Sequence, residues 1–307
     1  MACLAVIEVR DLYKSYGKTV ALRGASFSVP SKTVAALLGP NGSGKTTTLK
    51  ILVGVLKRDR GDVKVFGFDP WINGVEVRER LGILHEKPIF PGDVKVKVLL
   101  KYLAKLKGYS GSEVERVARI TGLVKYLDSR VKSLSRGYLQ RLGLAQALIG
   151  DPELLLLDEP TANLDPLARR EILRLIKSFQ KELGVTILVS SHIIPELEEI
   201  CEYAVFIKEG IIVDYGRLED LSKKYFTEVS YRVVVEKPRE LASKAISFDF
   251  VKGVEVEENS VEIKVKAGRV SELADFLESS KDTYGVRKVE FVRAELGDLY
   301  ERAVAGT

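Results

Sequence analysis

The stretch Gly39-Pro40-Asn41-Gly42-Ser43-Gly44-Lys45-Thr46 decides the fold, because it fits the pattern G-x-x-x-x-G-K-[ST]. Residues 33–38, directly before it, form an apolar run that is typical of a strand buried on both faces. The residues after it are apolar at the helical spacing i, i+3, i+4 and i+7, namely Leu49, Leu52, Val53 and Leu56. A strand, a glycine-rich loop and a helix in this order predict a loop that binds phosphate groups.

The chemistry of this loop follows from its residue types. Glycines allow backbone N–H groups to surround phosphate oxygens, and the positive N-terminus of the following helix points at the same place. Lys45 is expected to reach the β- and γ-phosphates, and the Thr46 hydroxyl is expected to ligate Mg²⁺. The alternative is a glycine-rich turn that matches the pattern by chance. The candidate nucleotide-binding residues are Gly39, Asn41, Gly42, Ser43, Gly44, Lys45, Thr46 and Thr47.

A second motif places two carboxylates at the end of a strand. Residues 154–157 are all leucine, and Asp158 and Glu159 follow them directly. Ligands of parallel sheets sit at the carboxyl ends of the strands. Asp158 is therefore predicted to hold Mg²⁺, and Glu159 to polarise the attacking water. The alternative is a strand that ends in a solvated acidic turn.

Composition narrows the class of protein. The chain has 307 residues, enough for two domains, and its 30% charged and 46% hydrophobic residues are typical of a globular protein. The net charge of +5 is small for this length and does not indicate a nucleic-acid partner. Cys3 and Cys201 are too few for a disulfide framework and fit a reducing compartment.

Two further absences in the sequence bear on membranes. The first ten residues lack the basic region and the long apolar run of a signal peptide. No apolar stretch reaches the roughly 18 consecutive residues that a membrane-spanning helix needs. Any work at a membrane is therefore expected to pass through a partner.

The first part of the chain contains two kinds of secondary structure beside the phosphate loop. Alternating apolar residues over the first thirty positions predict antiparallel strands. Residues 93–150 are mostly helical, and a helical subdomain is expected over about 87–150. Residues 205–208 and 211–214 predict a hairpin.

The central segments favour a parallel sheet. Residues 154–157 and 185–190 are buried strands with a helix between them. Asp165 and Pro166 stand where an N-cap and a first helical residue belong, and Gly184 stands where the helix ends. Strand, helix and strand in this order predict an α/β fold.

The last part, residues 223–307, is predicted to be a separate small α+β domain. Its elements have the order β-α-β-β-α-β of the ferredoxin-like split unit, over residues 229–236, 238–246, 254–258, 261–265, 270–278 and 286–292. A final helix is expected over residues 296–305. This part has no His, no Cys and no clustered polar motif, so no catalytic site is expected in it.

Together, the glycine-rich loop and the carboxylate pair resemble the nucleotide-binding subunits of ABC transporters, over roughly residues 6–220. The resemblance implies a P-loop NTPase fold in residues 1–222, with a mixed sheet, a helical subdomain and an antiparallel β subdomain. It implies ATP and Mg²⁺ as cofactors, ATP hydrolysis, a second ATP-binding subunit (a homodimer) and a separate transmembrane permease. It also implies a position at the cytoplasmic face of the membrane, peripheral through that permease.

The C-terminal part carries a further resemblance. Its β-α-β-β-α-β order and the ending Glu295-Leu296-Gly297-Asp298-Leu299-Tyr300 are similar to the small domain of export-type, ABC-2-like members. This similarity implies export as the direction of transport.

Family resemblance assigns roles to three more residues. Tyr16 is expected to stack on adenine, with Tyr13 as the second candidate and a tyrosine packed in a strand as the alternative. His192, after a buried strand, is expected to contact the γ-phosphate and the attacking water, the alternative being a capping or surface histidine. Asp165 is expected in the loop that communicates across the dimer, and it can be an N-cap at the same time. Asn163 is a mild departure from the family's small residues.

Residues 81–86 align with the family loop that normally supplies a glutamine to the metal site. Glu86 takes that position here, as it often does in the export-type branch. A carboxylate remains an oxygen ligand suited to Mg²⁺. The alternative is a solvated surface glutamate.

The segment Ser133-Leu134-Ser135-Arg136-Gly137-Tyr138-Leu139-Gln140-Arg141 stands where the family's LSGGQ signature belongs. In that family the signature covers the nucleotide bound by the other subunit. Ser135 retains the hydroxyl and Gly137 the close approach that phosphate contact requires, at a helix N-terminus. Arg136 and Tyr138 depart from the pattern; Arg136 either adds a cation near the partner's phosphates or points to solvent.

Three lysines, Lys97, Lys101 and Lys105, lie on one predicted helix face. This face is expected to be solvated, and the alternative is contact with an anionic membrane leaflet or an acidic partner loop.

Two other functions are weighed against the transporter subunit. One is a non-transport ABC ATPase that acts on ribosomes or nucleic acid; such proteins usually carry two motif sets or a coiled-coil insertion, and this chain has neither. The other is a regulatory module that binds ATP without turnover, which Glu159 and His192 argue against. No nucleic-acid partner is expected.

Overall fold

The computed structural model describes residues 5–292 and 294–306. Cys3 lies outside these residues. The chain forms two compact units, one reaching to Tyr215 and the other beginning at Gly216. This division precedes the boundary at 222/223 that the sequence suggests, because the helix Leu218–Tyr225 packs within the second unit.

The first unit is built mainly around strands. In chain order they are β1 (Ala5–Tyr16), β2 (Thr19–Pro30), β3 (Val34–Leu38), β4 (Arg60–Val65), β5 (Leu81–Leu84), β6 (Leu154–Asp158), β7 (Thr186–Ser191), β8 (Tyr203–Lys208) and β9 (Ile211–Arg217). Helices connect and cover them: α1 (Lys45–Leu52), α2 (Gly74–Glu79), α3 (Val96–Leu106), α4 (Gly111–Ile120), α5 (Arg136–Leu148) and α6 (Pro166–Leu183).

A six-stranded sheet forms the centre of this unit, with the order β5-β6-β7-β3-β8-β9. Its strands from β5 to β8 pair in parallel. Every residue of β3, β6 and β7 is buried, and their middle residues are all apolar, whereas Asp158, Ser190 and Ser191 stand at the strand ends that face the site. This order places the carboxyl ends of β6, β7 and β3 side by side. The glycine-rich loop follows the carboxyl end of β3, and the two carboxylates stand at the carboxyl end of β6.

A second sheet of three antiparallel strands, β2-β1-β4, completes the β structure of the first unit. Helices α3, α4 and α5 pack on one another and form the helical part. These features confirm the predicted P-loop NTPase fold with a mixed sheet, a helical subdomain and an antiparallel β subdomain.

Helix α1 is shorter than the apolar spacing predicts. It ends at Leu52, so Val53 is its C-cap and Leu56 lies beyond it. Gly54 has a φ of 75°, and a Cβ atom there would lie 1.9 Å from the Pro70 carbonyl oxygen. The chain therefore turns out of the helix at a glycine pressed against another segment, while Leu56 still packs on the core.

Helix α6 begins and ends as the sequence predicts. The Asp165 side chain accepts hydrogen bonds from the backbone N–H groups of Leu167 and Ala168, at 3.0 and 2.9 Å. Pro166 is the first helical residue, and Gly184 ends the helix with a φ of 67°.

The second unit is a four-stranded antiparallel sheet with helices. Its elements are α7 (Leu218–Tyr225), β10 (Glu228–Val235), α8 (Pro238–Ala245), β11 (Val251–Val256), β12 (Ser260–Lys266), α9 (Val270–Ser279), α10 (Lys281–Tyr284), β13 (Val286–Val292) and α11 (Leu296–Ala305). The order β11-β12-β10-β13 confirms the split β-α-β arrangement. Helices α8 and α9 contribute Leu241, Leu273 and Leu277 to a core that Val233 and Ile263 share.

Within the described ranges, no helix has both the length and the apolar content that crossing a bilayer requires.

Candidate active site

A cavity of about 390 Å³ opens where the glycine-rich loop, the end of β6 and the residues after β7 meet. Nine of the residues singled out in the sequence line it: Asn41, Gly42, Gly44, Lys45, Thr46, Thr47, Glu86, Glu159 and His192. The parallel sheet explains this gathering, because its strands deliver their loops to one edge.

The glycine-rich loop wraps around the lysine that follows it. The Lys45 ammonium is buried and donates to the carbonyl oxygens of Gly39 and Pro40, at 2.8 and 3.1 Å. Gly44 has a φ of 107°, and a Cβ atom at Gly39 would lie 2.1 Å from the Ile207 carbonyl oxygen. Both positions therefore require glycine.

The Ser43 hydroxyl in this loop is buried without a hydrogen-bond partner in the described part of the chain. A buried polar atom left in this way is costly unless a ligand satisfies it. Ser43 does not line the cavity itself, but it belongs to the loop that carries Lys45, and an anionic oxygen such as that of a phosphate is a suitable partner for its hydroxyl.

Two hydroxyl groups hold Asp158 at the end of β6. The Thr46 Oγ1 donates to Asp158 Oδ2 at 2.9 Å, and the Ser190 Oγ donates to Asp158 Oδ1 at 2.6 Å. The carboxylate is buried and its two oxygens are fixed in direction. This arrangement supplies the hard oxygen donors that Mg²⁺ prefers.

Glu159 lies between two groups that complement its charge. Its Oε1 is 3.5 Å from the Lys45 Nζ, and its Oε2 is 2.8 Å from the Nδ1 of His192. Its φ of 47° is unusual for a residue with a side chain. The backbone N–H of Glu159 donates to the Oγ and to the carbonyl oxygen of Ser190, at 3.1 and 3.2 Å, which holds this strained turn.

Ser190 was not assigned a role from the sequence, yet it contacts both carboxylate residues. It is the fifth residue of β7 and pairs with Asp158 of β6. Two serines at the end of a buried strand, Ser190 and Ser191, were the available signal, because a buried hydroxyl needs a partner.

Glu86 reaches the cavity wall from a different element. The predicted loop 81–86 is only partly a loop, because residues 81–84 form β5 at the edge of the central sheet. Glu86 follows two residues later, and its side chain is 45% exposed and 3.5 Å from the Lys87 ammonium. Strand β5 runs parallel to β6, so Glu86 follows β5 on the same side of the sheet as Asp158 at the carboxyl end of β6.

Tyr16 lies at the end of β1 and is not among the residues that line the cavity. It is 49% exposed, and the Lys14 ammonium lies 5.7 Å from its ring centre. Tyr13 is 37% exposed, and the Arg60 guanidinium lies 5.2 Å from its ring centre. Each ring thus has a cation nearby, and Tyr16 is the more exposed of the two.

Ser135 and Gly137 lie at the start of α5 and outside this cavity. Ser135 is the exposed N-cap of α5, and its hydroxyl accepts the Tyr138 N–H at 3.5 Å. A Cβ atom at Gly137 would lie 3.4 Å from Ala168 of α6. The ring of Tyr138 packs on that of Tyr126, with 4.0 Å between ring centres.

The comparisons with known proteins agree with this geometry. Residues 22–162 match the sequence profile of the family described as ABC transporter. The uncharacterized ABC transporter ATP-binding protein YhcH of Bacillus subtilis is 32% identical over 89% of this chain and 88% of its own length. The bacitracin transport ATP-binding protein BcrA of Bacillus licheniformis is 36% identical over 72% of this chain and 73% of its own.

Solved structures give the same result. One described as the ATP-binding subunit of an ABC transporter superposes with a TM-score of 0.64, at 29% identity, over 72% of this chain and 93% of its own. Another, CbiO1 from Clostridium perfringens, has a TM-score of 0.64 and 29% identity over 71% of this chain and 90% of its own. The chain therefore belongs to the ABC transporter family, as an ATP-binding subunit with ATPase activity.

Proposed function

We propose that this chain hydrolyses ATP with Glu159 as the general base, and that two copies close on two nucleotides to drive export through a separate transmembrane permease. The observation that carries the proposal is the placement of Glu159 between the Lys45 ammonium and the His192 imidazole, at 3.5 and 2.8 Å. A base, a cation for the phosphates and a second polar group converge there on one cavity.

Glu159 is proposed to accept a proton from the attacking water. Its side chain is mostly buried, so few solvent molecules compete with the attacking water for the carboxylate. Lys45 offsets its charge and is proposed to bind the β- and γ-phosphates. The amide groups of the glycine-rich loop and the Ser43 hydroxyl are proposed to bind further phosphate oxygens.

The contact between Glu159 and His192 constrains the histidine's proton. An ionised carboxylate only accepts hydrogen bonds, so the Nδ1 of His192 must carry the proton in this contact. The Nε2 of a neutral His192 then accepts a hydrogen bond from the water, whereas a protonated imidazole donates one to the γ-phosphate. His192 is proposed as the group that orients water and phosphate beside Glu159.

The site fits Mg²⁺ on its donor chemistry. Thr46 and Asp158 are the proposed ligands, with Glu86 as a third candidate. No cluster of three or more His, Cys, Asp and Glu residues that could hold a metal occurs among residues 5–292 and 294–306. Phosphate oxygens of the nucleotide are proposed as the further ligands. Bound there, the ion supplies charge neutralisation at the β- and γ-phosphates.

A homodimer is proposed because Ser135 and Gly137 lie outside the cavity of their own chain. Both stand at a helix N-terminus, and the Ser135 hydroxyl is exposed. In a head-to-tail pair each signature segment would cover the nucleotide of the other copy. Asp165 is proposed to contribute to the same interface in addition to its observed capping of α6. Tyr16 is proposed to stack on adenine.

The permease is proposed to dock beside the loop that carries Glu86. Residues 87–90 line a groove of about 260 Å³ next to the cavity, against Gly143 and Gln146 of α5. Ile89 lines this groove and is 91% exposed, so its side chain is available for contact with the permease. One short loop thus joins the nucleotide cavity to the groove. A shift of Glu86 in the cavity is proposed to move residues 87–90 in the groove, and the reverse.

Export is proposed from the relatives and from the second unit. BcrA is named for bacitracin transport, and SrtF of Streptococcus pyogenes, which is 34% identical over 74% of this chain and 98% of its own, is named for lantibiotic transport. The ATP-binding domain is proposed to span residues 1–222 and the small export-type domain residues 223–307. The protein is proposed to lie at the cytoplasmic face of the membrane through its permease.

Two experiments test the proposal. Phosphate release should require Mg²⁺ and should be lost in Lys45→Ala, whose far-UV spectrum serves as the folding control. In cells, the tagged chain should co-purify with a transmembrane protein, and Ile89→Asp should lose that protein without losing phosphate release. Recovery of ribosomes or nucleic acid instead would contradict the transport proposal and support a non-transport ATPase.

A further inference from the structure

Helix α3 turns one half of its surface away from the core. Its buried residues are Val96, Leu99, Leu100 and Ala104. The other half carries two parallel stripes, each with a spacing of four residues. One stripe is cationic and consists of Lys97, Lys101 and Lys105, and the other is apolar and consists of Val98, Tyr102 and Leu106.

The apolar stripe is strongly exposed. Val98, Tyr102 and Leu106 have 53, 60 and 66% of their surface accessible. Single exposed apolar residues are normal, but three in line on one helix form a continuous strip. At the end of the strip, Leu106 joins the apolar wall that Leu103 of the same helix continues.

The cationic stripe has no acidic partner among the residues that the structure describes. Residues 96–106 contain no Asp or Glu, and the described ion pairs include none of Lys97, Lys101 and Lys105. The basic residues nearby differ, since Lys95 pairs with Asp128 at 3.3 Å and Arg130 pairs with Asp93 at 3.3 Å. Three lysines are therefore available to an external anion.

We propose that this face of α3 rests directly on an anionic lipid surface. In such a contact the lysine ammonium groups meet the lipid phosphates, and their methylene stems lie along the interface. Val98 and Tyr102 enter the boundary between headgroups and acyl chains, where an aromatic ring with a hydroxyl is well placed. The inference concerns lipid contact by this chain itself and does not depend on ATP hydrolysis or on a permease.

The combination of stripes favours lipid over an acidic protein. A short acidic protein loop would satisfy the lysines but would leave the apolar strip beside them uncovered. A bilayer surface offers lipid phosphates to the lysines and, deeper in the membrane, hydrocarbon to the apolar strip along the whole helix. Because only half of an 11-residue helix is available, the contact is weak and reversible, and it orients the subunit rather than anchoring it.

The test uses the purified full-length chain and sedimentation with vesicles, without any permease. One set of vesicles is phosphatidylcholine alone, and the other contains phosphatidylglycerol as well. The first variant is K97Q/K101Q/K105Q, and the second is V98S/Y102S. The matched control is R170Q/R174Q/K181Q, which removes three exposed charges from α6 instead. Melting temperatures of all variants show that each is folded.

The proposal expects binding to the anionic vesicles only. Loss of each lysine should lower the partition constant about fivefold, so the triple variant should lose about a hundredfold. V98S/Y102S should also bind more weakly, and the α6 control should bind like the wild type. Absence of binding, or equal loss in the α6 control, would overturn the proposal. The proposal would also be overturned if both α3 variants bound the vesicles like the wild type and lost only their co-purification with a protein partner.

Discussion

At the scale of single residues, the site depends on a carboxylate that is held under strain. Glu159 has a φ of 47°, and Ser190 accepts its N–H while donating to Asp158 at 2.6 Å. One serine thus fixes both the strained turn and the neighbouring carboxylate. A carboxylate fixed in this way needs little reorganisation to act as the general base that we propose for Glu159.

The segment around Ser135 makes a testable prediction at the same scale. Ser135→Arg puts a bulky cation at an exposed helix N-terminus that we propose covers the partner's nucleotide. ATP-driven dimerisation, measured by size-exclusion chromatography in the presence of ATP, should be abolished. Binding of ATP to the monomer should stay within about twofold of the wild type, because Ser135 does not line the cavity of its own chain.

The control for this prediction is Ser112→Arg, which makes the same change at an exposed serine in the first turn of α4. It should dimerise normally. If Ser135→Arg weakened ATP binding to the monomer as much as it weakened dimerisation, the role across the dimer would be wrong.

The sequence predicted the residues of the site better than their connections. Lys45, Asp158, Glu159 and His192 come from motifs that lie on neighbouring strands, so the parallel order alone brings them together. The role of Ser190 was not predicted, because it depends on the pairing of β7 with β6, which no sequence motif indicates. Tyr16 was predicted to contact the nucleotide, but a side chain at a hairpin end follows local packing that no motif specifies, and its role remains a prediction.

At the scale of elements, β5 and α5 approach each other more closely than a side chain allows. A Cβ atom at Gly82 would lie 2.1 Å from the Ala147 carbonyl oxygen and 2.6 Å from Leu155 Cδ2. The first of these is backbone of a helix and cannot swing away. Gly82→Ala should therefore separate β5 from α5 and destabilise the fold by about 1–3 kcal/mol.

Denaturant unfolding of Gly82→Ala against Gly111→Ala measures this effect. A Cβ atom at Gly111, in the first turn of α4, would meet no neighbouring group within 4 Å in the described part of the chain. Alanine there should therefore be neutral or slightly stabilising. Equal stability of the two variants would show that the contact between β5 and α5 is looser than described.

An ion pair within helix α4 also contacts the end of α5, because the Arg116 guanidinium donates to the Leu148 carbonyl oxygen at 2.8 Å. Glu113 accepts two hydrogen bonds from the Arg116 guanidinium, at 2.7 and 2.8 Å, and one from the Gly150 N–H at 2.8 Å. The Arg116 guanidinium holds the pKa of the Glu113 carboxyl below its usual value, and the Gly150 N–H adds to this effect. The pair is largely shielded from solvent, since Glu113 is 8% exposed.

This lowered pKa predicts a pH dependence of stability. Because the folded-state pKa lies below the unfolded one, the contribution is complete above the unfolded pKa of about 4.3 and is lost as the pH falls through the folded value. Glu113→Gln should lose roughly 1–3 kcal/mol at pH 7. The difference from the wild type should shrink below about pH 4.

Thermal melting of both proteins across this pH range is the measurement, and Glu115→Gln is the control because Glu115 is exposed on the same helix. A difference between wild type and Glu113→Gln that stays constant down to acidic pH would exclude the ionised carboxylate as its source.

Element boundaries show where sequence patterns stop being informative. Strand β13 and helix α11 have the predicted ends, because a glycine and the helical spacing mark them. Strand β11 begins at Val251, three residues before the predicted start, since it pairs with β12 through a bulge between Val251 and Gly253. Helix α1 ends early at Leu52 for a similar reason, a contact with a distant segment that local spacing does not contain.

At the scale of the whole molecule, each unit has its own hydrophobic core. Residues such as Phe27, Leu37 and Val205 share one core in the first unit, and Val233 and Ile263 belong to another in the second. All residues that line the nucleotide cavity belong to the first unit. The proposed catalytic residues therefore all lie in the first unit, in the part of the chain where the order of motifs predicts them.

The proposed hydrolysis depends on Glu159 as the catalytic base, and phosphate release by Glu159→Gln tests that role. Glutamine keeps the shape of the side chain but cannot accept the proton, so turnover should fall by about 10²-fold or more. ATP binding, measured separately, should be retained, and Glu182→Gln, an exposed change at the end of α6, should behave like the wild type. Turnover that is unchanged in Glu159→Gln while binding is normal would contradict the account.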